Sequence, residues 1–202
     1  MKKENFWEAL KMTNRLPVES FSFPVEQIKA GYYTDAYFLR SAEILNGDNY
    51  HPRVLMQIFA RDNVVVCGTD EVIALLKTCA FHPEHIVIHS LHDGDEVEEW
   101  ETVMTIEGDY QEFAHLETIY LGILARQSRI ATNVRKVVKA ANGKPVLFFP
   151  ARYDIYQTQE SDGYAAKIGG IKGFSTDANA KASQGKGLGT IPHALIASYN
   201  GD

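Results

Sequence analysis

Cysteine is nearly absent: Cys67 and Cys79 are the only two in 202 residues, and they lack the spacing of metal ligands. The chain reads as a reduced, cytoplasmic protein. Basic runs are absent as well. The 20 lysines and arginines are scattered among 26 acidic residues, giving a net charge of −6, which argues against a nucleic acid or an anionic membrane as partner and for small-molecule chemistry. No window approaches the roughly 18 uninterrupted apolar residues that a membrane span needs. The opening "MKKENFWEAL" carries charges on both sides of a short apolar patch instead of a signal peptide's hydrophobic core. Neither glycine-rich stretch, "IGG" at 168–170 or "GKGLG" at 185–189, matches a Walker or dinucleotide fingerprint.

What is present suffices for a substantial core, since 45% of the residues are hydrophobic. "TDAYFLRSAEIL" opens with a capping pair, Thr34 and Asp35, and sets Tyr37, Phe38, Ala42 and Leu45 at helical spacing, which predicts a helix over 35–46 ended by "NGD". "RVLMQIFA" and "NVVVCG" are apolar, β-branched runs that meet near Arg61 and Asp62 and predict strands, and "TDEVIALLKTCA" follows as a second capped helix. From Leu91, "LHDGDEVEEWETVMTIEGDY" separates Val97, Trp100, Val103 and Ile106 by short polar intervals, which predicts a small antiparallel β unit. Its acids, Asp93, Asp95, Glu96, Glu98 and Glu99, read as a solvated face and a turn rather than a metal site.

The character then changes. A long helical pattern over 110–144 places Phe113, Leu116, Ile119, Tyr120, Ile123 and Leu124, then Val134, Val137 and Val138, on an apolar stripe. "PVLFFPAR" reads as a strand buried on both faces. It is followed by the helical "DGYAAKIGGI", the strand-like "GFSTD", the short "ANAKASQGK", and "GTIPHALI", which reads as a buried strand entering a helix. This βαβα rhythm suits the early units of an α/β barrel, although a doubly wound sheet shares the local grammar. The boundary falls near Gln127, giving an α+β domain over 1–126 and the first units of an incomplete α/β barrel over 127–202, an α/β chain in all. Parallel architectures collect reactive groups at strand carboxyl ends, and three stand there: Arg152, Ser175 with Thr176 and Asp177, and Thr190 with His193. A guanidinium, a hydroxyl pair beside a turn and an imidazole can bind anions and move a phosphoryl group. Plainer roles are also open: an Arg152–Asp154 ion pair, a helix cap for "STD", and a satisfied core histidine at His193.

"YYTDAYF" at 32–38, "HLETIYLGILARQSRIATN" at 115–133, "GKPVLFFPAR" at 143–152, "GYAAKIGG" with "STDANA", and "GTIPHALI" together resemble the nicotinate phosphoribosyltransferases, relatives of the quinolinate and nicotinamide enzymes. The resemblance implies a type II phosphoribosyltransferase fold, an N-terminal α/β sandwich followed by an irregular α/β barrel. It implies nicotinate and 5-phosphoribosyl 1-pyrophosphate as substrates, ATP as co-substrate, Mg²⁺ for the departing pyrophosphate, and a homodimer with a shared site. It places Tyr37 where a tyrosine stacks on the pyridine ring, Thr190 near the carboxylate, and His193 where ATP phosphorylates a histidine. Arg152 falls where an arginine meets anionic groups, while Ser175, Thr176 and Asp177 match loosely as substrate-side or capping residues. Without a His-Arg pair after "GG", the quinolinate enzyme stands as the alternative, with the nicotinamide enzyme and a non-catalytic binding protein beside it. The groups that grip the phosphoribosyl phosphates would lie beyond Asp202, so the chain is expected to be the N-terminal part of a longer enzyme, with little activity alone.

Overall fold

The computed structural model describes residues 15–199 and divides into two compact units, Met1–Thr132 and Asn133–Asp202. The opening "MKKENFWEAL" lies outside the described residues. The first unit runs through α1 (Val25–Lys29), α2 (Ala36–Gly47), β1 (Arg53–Phe59), β2 (Val64–Val65), α3 (Thr69–Cys79), β3 (Val87–Ser90), β4 (Glu96–Val97), β5 (Thr102–Asp109), the single turn α4 (Tyr110–Phe113) and α5 (Glu117–Ala140), whose last turns belong to the second unit. β5 is the middle strand of an antiparallel sheet of order β1-β5-β3, and β2 pairs with β4. The chain from Leu91 is thus antiparallel as its spacing predicts, but its two strands pair with different partners.

Alternation along β1 turns Val54, Met56 and Ile58 inward and leaves Leu55 and Phe59 outside, where Phe59 stacks on Trp100 at 5.3 Å. The inner face meets α3 and the start of α5 in one core. Ile58, Met104 and Ile106 come from the sheet, Val72, Leu75, Leu76 and Cys79 from α3, and Phe113, Leu116, Tyr120 and Leu124 from the approach to α5 and its first turns. Both predicted capped helices form, yet neither caps itself. Asp35 spends its carboxylate on the Thr118 hydroxyl (2.9 Å) and Thr34 donates to the His115 carbonyl (2.6 Å), so the polar pair docks α2 onto the start of α5. At α3 the cap is Gly68, at φ +98°, and the orphan N–H of Thr69 is taken by Asp93 from across the unit at 2.8 Å. Asp93 is therefore a helix cap, and Asp95 closes a turn by accepting from the His92 N–H at 2.8 Å.

In the second unit β6 (Leu147–Phe148) and β7 (Gly173–Phe174) pair in parallel across α6 (Gln159–Gly169), a single βαβ unit, followed by α7 (Asp177–Ala180) and α8 (His193–Ser198). Arg135 closes α6 by donating to the carbonyls of Gly169 (3.1 Å) and Ile168 (2.9 Å), a cation placed at a helix C-terminus. Two expectations fail here. β6 is not buried on both faces: among the described residues its one strand partner is β7, and Leu147 and the following Phe149 are about half exposed. "GTI" is not a strand: among the described residues the one backbone bond to β7 in this stretch comes from the preceding Leu188, whose N–H donates to Phe174 O at 2.6 Å, and Ile191 is exposed. A ladder needs repeated pairing, and a single bond does not extend one.

α6 and α7 touch at Gly163, where an added Cβ would stand 2.1 Å from the Asn179 carbonyl oxygen. Gly163→Ala should therefore destabilise by about 1–3 kcal/mol through overpacking, read by chemical denaturation. Gly122→Ala, on α5 with nothing within 4 Å of the new methyl, should be neutral or stabilising, and equal losses in the two variants would show that the close approach is not rigid.

Candidate functional site

Tyr37 opens α2 with 57% of its surface exposed, while its neighbour Phe38 enters the core at 7%. The two rings touch at 4.2 Å between centroids. The sequence pattern alone left Tyr37 open to a core role, and the helix assigns that role to Phe38. Local desolvation, followed by the negative charges of Asp35 and Glu117, holds the Tyr37 hydroxyl above its ordinary value, so the ring stays a neutral phenol. The docking bonds from Thr34 and Asp35 set the angle at which α2, and hence the ring, leaves the unit.

Glu117 is the residue that motif reading missed. It is the first residue of α5 and lies at the same helical spacing as Phe113, Tyr120 and Leu124, on the face that packs into the core. Its Oε2 is buried with no hydrogen-bond partner among the described residues. Burial raises its pKa, and burial followed by the Glu117 charge raises those of Tyr110 and Tyr120. An acid on an apolar stripe is a signal legible in the sequence. A half-buried carboxyl with one buried, unmet oxygen, on the same unit as an exposed phenol ring, is suited to receive a polar group of a ligand whose flat face rests on the tyrosine.

In the second unit the residues after β7 form a second cluster. Thr176 caps α7 by accepting from the Asn179 N–H at 3.1 Å, the capping role foreseen for "STD". Asp177 accepts from the Gly187 N–H at 2.7 Å and pairs with the Lys186 ammonium at 3.3 Å. Those two partners, the amide first, hold its carboxyl below its ordinary value. Asp177 is thus a clamp that folds the glycine-rich 185–189 segment back over the strand end. Ser175 leaves its Oγ buried and without a partner. Arg152 sits exposed in the turn after β6 and makes neither the pair with Asp154 nor any other hydrogen bond or ion pair among the described residues. Thr190 and His193 are exposed, and His193 begins α8 directly after Pro192, so it is no core histidine. No hydrogen bond or ion pair among the described residues joins Arg152, Thr190 or His193 to Ser175 or Asp177.

Cys67 is fully buried, and burial followed by the charge of Asp93 pushes its thiol far up, which rules it out as a nucleophile. No helix among the described residues is long and apolar enough to cross a membrane.

Residues 35–128 match the sequence family described as quinolinate phosphoribosyl transferase, N-terminal domain. Among solved structures, a nicotinate-nucleotide pyrophosphorylase from Pyrococcus furiosus superposes with a TM-score of 0.78 and 33% identity over 89% of this chain and 46% of its own. Human nicotinic acid phosphoribosyltransferase superposes with a TM-score of 0.70 and 15% identity over 82% of this chain and 40% of its own. A nicotinate-nucleotide pyrophosphorylase from Ehrlichia chaffeensis gives 0.55 and 19% over 82% and 64%. The last two establish the fold alone, and the chain spans less than half of the first two proteins. The sequence motifs put the nicotinate enzyme first and the quinolinate enzyme second; the family match and the 33% identical structure favour the second. The helix-and-sheet unit that carries Tyr37 and Glu117 thus matches, over residues 35–128, the quinolinate phosphoribosyl transferase N-terminal domain, and its fold is that of the type II phosphoribosyltransferases.

Proposed function

We propose that this chain forms part of a phosphoribosyltransferase of pyridine nucleotide synthesis that takes a pyridine carboxylate, with quinolinate as its substrate. The observation that carries this reading is the 33% identity over 89% of the chain to a nicotinate-nucleotide pyrophosphorylase. In the forward reaction the pyridine nitrogen attacks the anomeric carbon of phosphoribosyl pyrophosphate, the C–O bond to pyrophosphate breaks, and pyrophosphate leaves. Quinolinate has two carboxylates and the nicotinate nucleotide one, so the C–C bond to the other breaks, carbon dioxide departs, and the electron pair left on the ring carbon takes up a proton from solvent. Little covalent work falls to the protein, whose task is to orient the ring and balance the developing charges. Tyr37 supplies the flat platform. The Glu117 carboxyl, its pKa raised by burial, lies on the same unit as that ring, and in the second unit Arg152 is exposed to meet an anionic group. Mg²⁺ prefers several oxygen ligands; Asp177 is committed to Gly187 and Lys186, so these residues do not form a cage for it.

The second reading is the ATP-coupled nicotinate enzyme, favoured by the exposure of His193 within "GTIPH". In that reaction the His193 imidazole attacks the γ-phosphorus of ATP, ADP leaves, and the phosphohistidine is later hydrolysed. The added charge of about −2 rearranges nearby cations.

Ligand binding to the purified chain separates the two. Quinolinate should bind at least tenfold more tightly than nicotinate, with no effect of ATP, in a calorimetric titration; nicotinate preference that appears only with ATP would reverse the order. Tyr37→Ala should weaken the preferred ligand by about 1 kcal/mol or more through lost stacking, with unchanged unfolding; a drop in stability without loss of affinity would make the ring structural.

The ATP arm has its own readout. On the quinolinate reading, protein incubated with ATP should carry no acid-labile phosphate by intact-mass analysis, and a phosphate present in the wild type and missing in His193→Ala would establish the nicotinate reading.

Glu117 allows a pH test. Its folded pKa lies above the unfolded one, so ionising it costs stability as pH rises past the ordinary glutamate value of about 4.3, and the cost is complete above the folded value. Glu117→Gln should raise Tm relative to wild type by more at pH 8 than at pH 5. An equal offset at both pH values would show the carboxyl to be solvated.

A further inference from the structure

We propose that the first unit carries a divalent transition-metal site of the zinc type, formed by His82, His85 and Glu112, separate from the residues assigned to the transferase reaction. Two segments meet there. His82 and His85 flank the tight turn Pro83–His85 that leads from α3 to β3, and Glu112 lies on α4 just after β5. The backbone of the meeting point is fixed. Pro83 holds its own φ at the start of the turn, the His85 N–H donates to the His82 carbonyl at 3.0 Å, and the Phe81 N–H donates to the Glu112 carbonyl at 3.2 Å. Beside them Phe81 stacks on the buried His115 at 4.5 Å, which anchors the segment in the core.

The side chains converge on one point. Nδ1 of His82 lies 2.9 and 3.0 Å from the two carboxylate oxygens of Glu112, whose Oε2 also accepts the His82 N–H at 2.8 Å. The His85 ring stacks against His82 at 5.6 Å, and one ligand atom from each of the three residues falls within 4.8 Å of the others. Zinc ligands sit about 2.0–2.2 Å from the ion, so neighbouring ligand atoms of a tetrahedral site are about 3.3–3.6 Å apart. The His82–Glu112 pair, at 2.9–3.0 Å, is a few tenths of an ångström inside that separation, so a small opening of this pair and rotation of the exposed His85 ring close the set. The Glu84 carboxylate, 4.0 Å from His85 Nε2, adds negative charge at the rim. Two imidazoles and one carboxylate suit zinc, nickel or copper rather than magnesium or calcium. Three protein ligands leave coordination positions open, and because both histidines are exposed those positions face solvent, where they take water or an anionic group.

A plain His–Glu ion pair is the rival, and zinc distinguishes the two. Protein stripped with a chelator and titrated with zinc sulfate should bind one ion per chain with a Kd of about 10 µM or tighter, and zinc should raise its Tm. His85→Ala should weaken that binding at least tenfold, as should Glu112→Gln, while His89→Ala, on an exposed strand position of the same unit, should leave it unchanged. All three should keep the wild-type circular dichroism spectrum, since both histidines are exposed and Glu112→Gln keeps the size of the half-buried side chain and an oxygen to accept the His82 N–H. No zinc uptake by the wild type, or uptake that survives both His85→Ala and Glu112→Gln, would overturn the proposal.

Discussion

Burial of one face of the β1-β5-β3 sheet against α3 and the first turns of α5 is the constraint from which the rest of the first unit follows. The inward side chains of β1 and β5, the apolar stripe of α3, and Phe113, Leu116, Tyr120 and Leu124 close over one another in a single core. At about 25 cal/mol per Å² of apolar surface, such a core outweighs any single polar contact in the unit. It sets where α5 begins, and the start of α5 in turn holds α2 through Thr118 and the His115 carbonyl. The direction of the Tyr37 ring is thus a remote consequence of apolar packing. The same core explains why Glu117 is unusual: the carboxyl occupies a position on the stripe that an apolar residue would fill at less cost.

The second unit is held by different means. Its parallel pair is only two residues long on each strand. Much of its local order comes from side chains that satisfy main-chain groups: Arg135 on the end of α6, Thr176 at the start of α7, Asn179 donating to the Gln159 carbonyl, and Asp177 on the Gly187 amide. Each such bond is worth about 1 kcal/mol net, but leaving its buried partner unmet costs more. The network therefore works as a set of positional constraints around the β7 strand end more than as a source of stability. The unmet Ser175 hydroxyl stands out against it for that reason.

The parts legible in the sequence are those governed by periodicity. The helix starts at α2 and α3, the strands β1 and β5 and the long α5 all follow from spacing of apolar residues. Strand partners do not, because pairing is a non-local choice: nothing in the 91–110 stretch says that β4 goes to β2 and β5 to β1 and β3. The caps were legible as residue types but not as bonds, since Asp35 and Asp93 reach helices far along the chain. "GTIPHALI" misled for a related reason. An apolar run marks a strand only where a neighbour offers a ladder, and here only the preceding Leu188 bonds to Phe174 while Ile191 and Ile196 stay outside.

Charge decides what the candidate site residues can do. A chain of net charge −6 has no overall field that attracts an anionic ligand, so any such attraction must be local. Most cations near the β7 strand end are already committed: Lys186 to Asp177, Lys181 to Glu160, Lys167 to the Ala182 carbonyl. Arg152 differs, being exposed and without an internal partner among the described residues. A guanidinium keeps its charge at any working pH and offers paired donors to a phosphate or carboxylate, so an uncommitted one costs no competing ion pair when a ligand arrives. Lys186 would have to give up Asp177, and Asp177 would then release the Gly187 amide that closes the glycine-rich segment. On the proposed function, Arg152 is a guanidinium this unit leaves available to an anion, while Asp177 holds the glycine-rich segment in place.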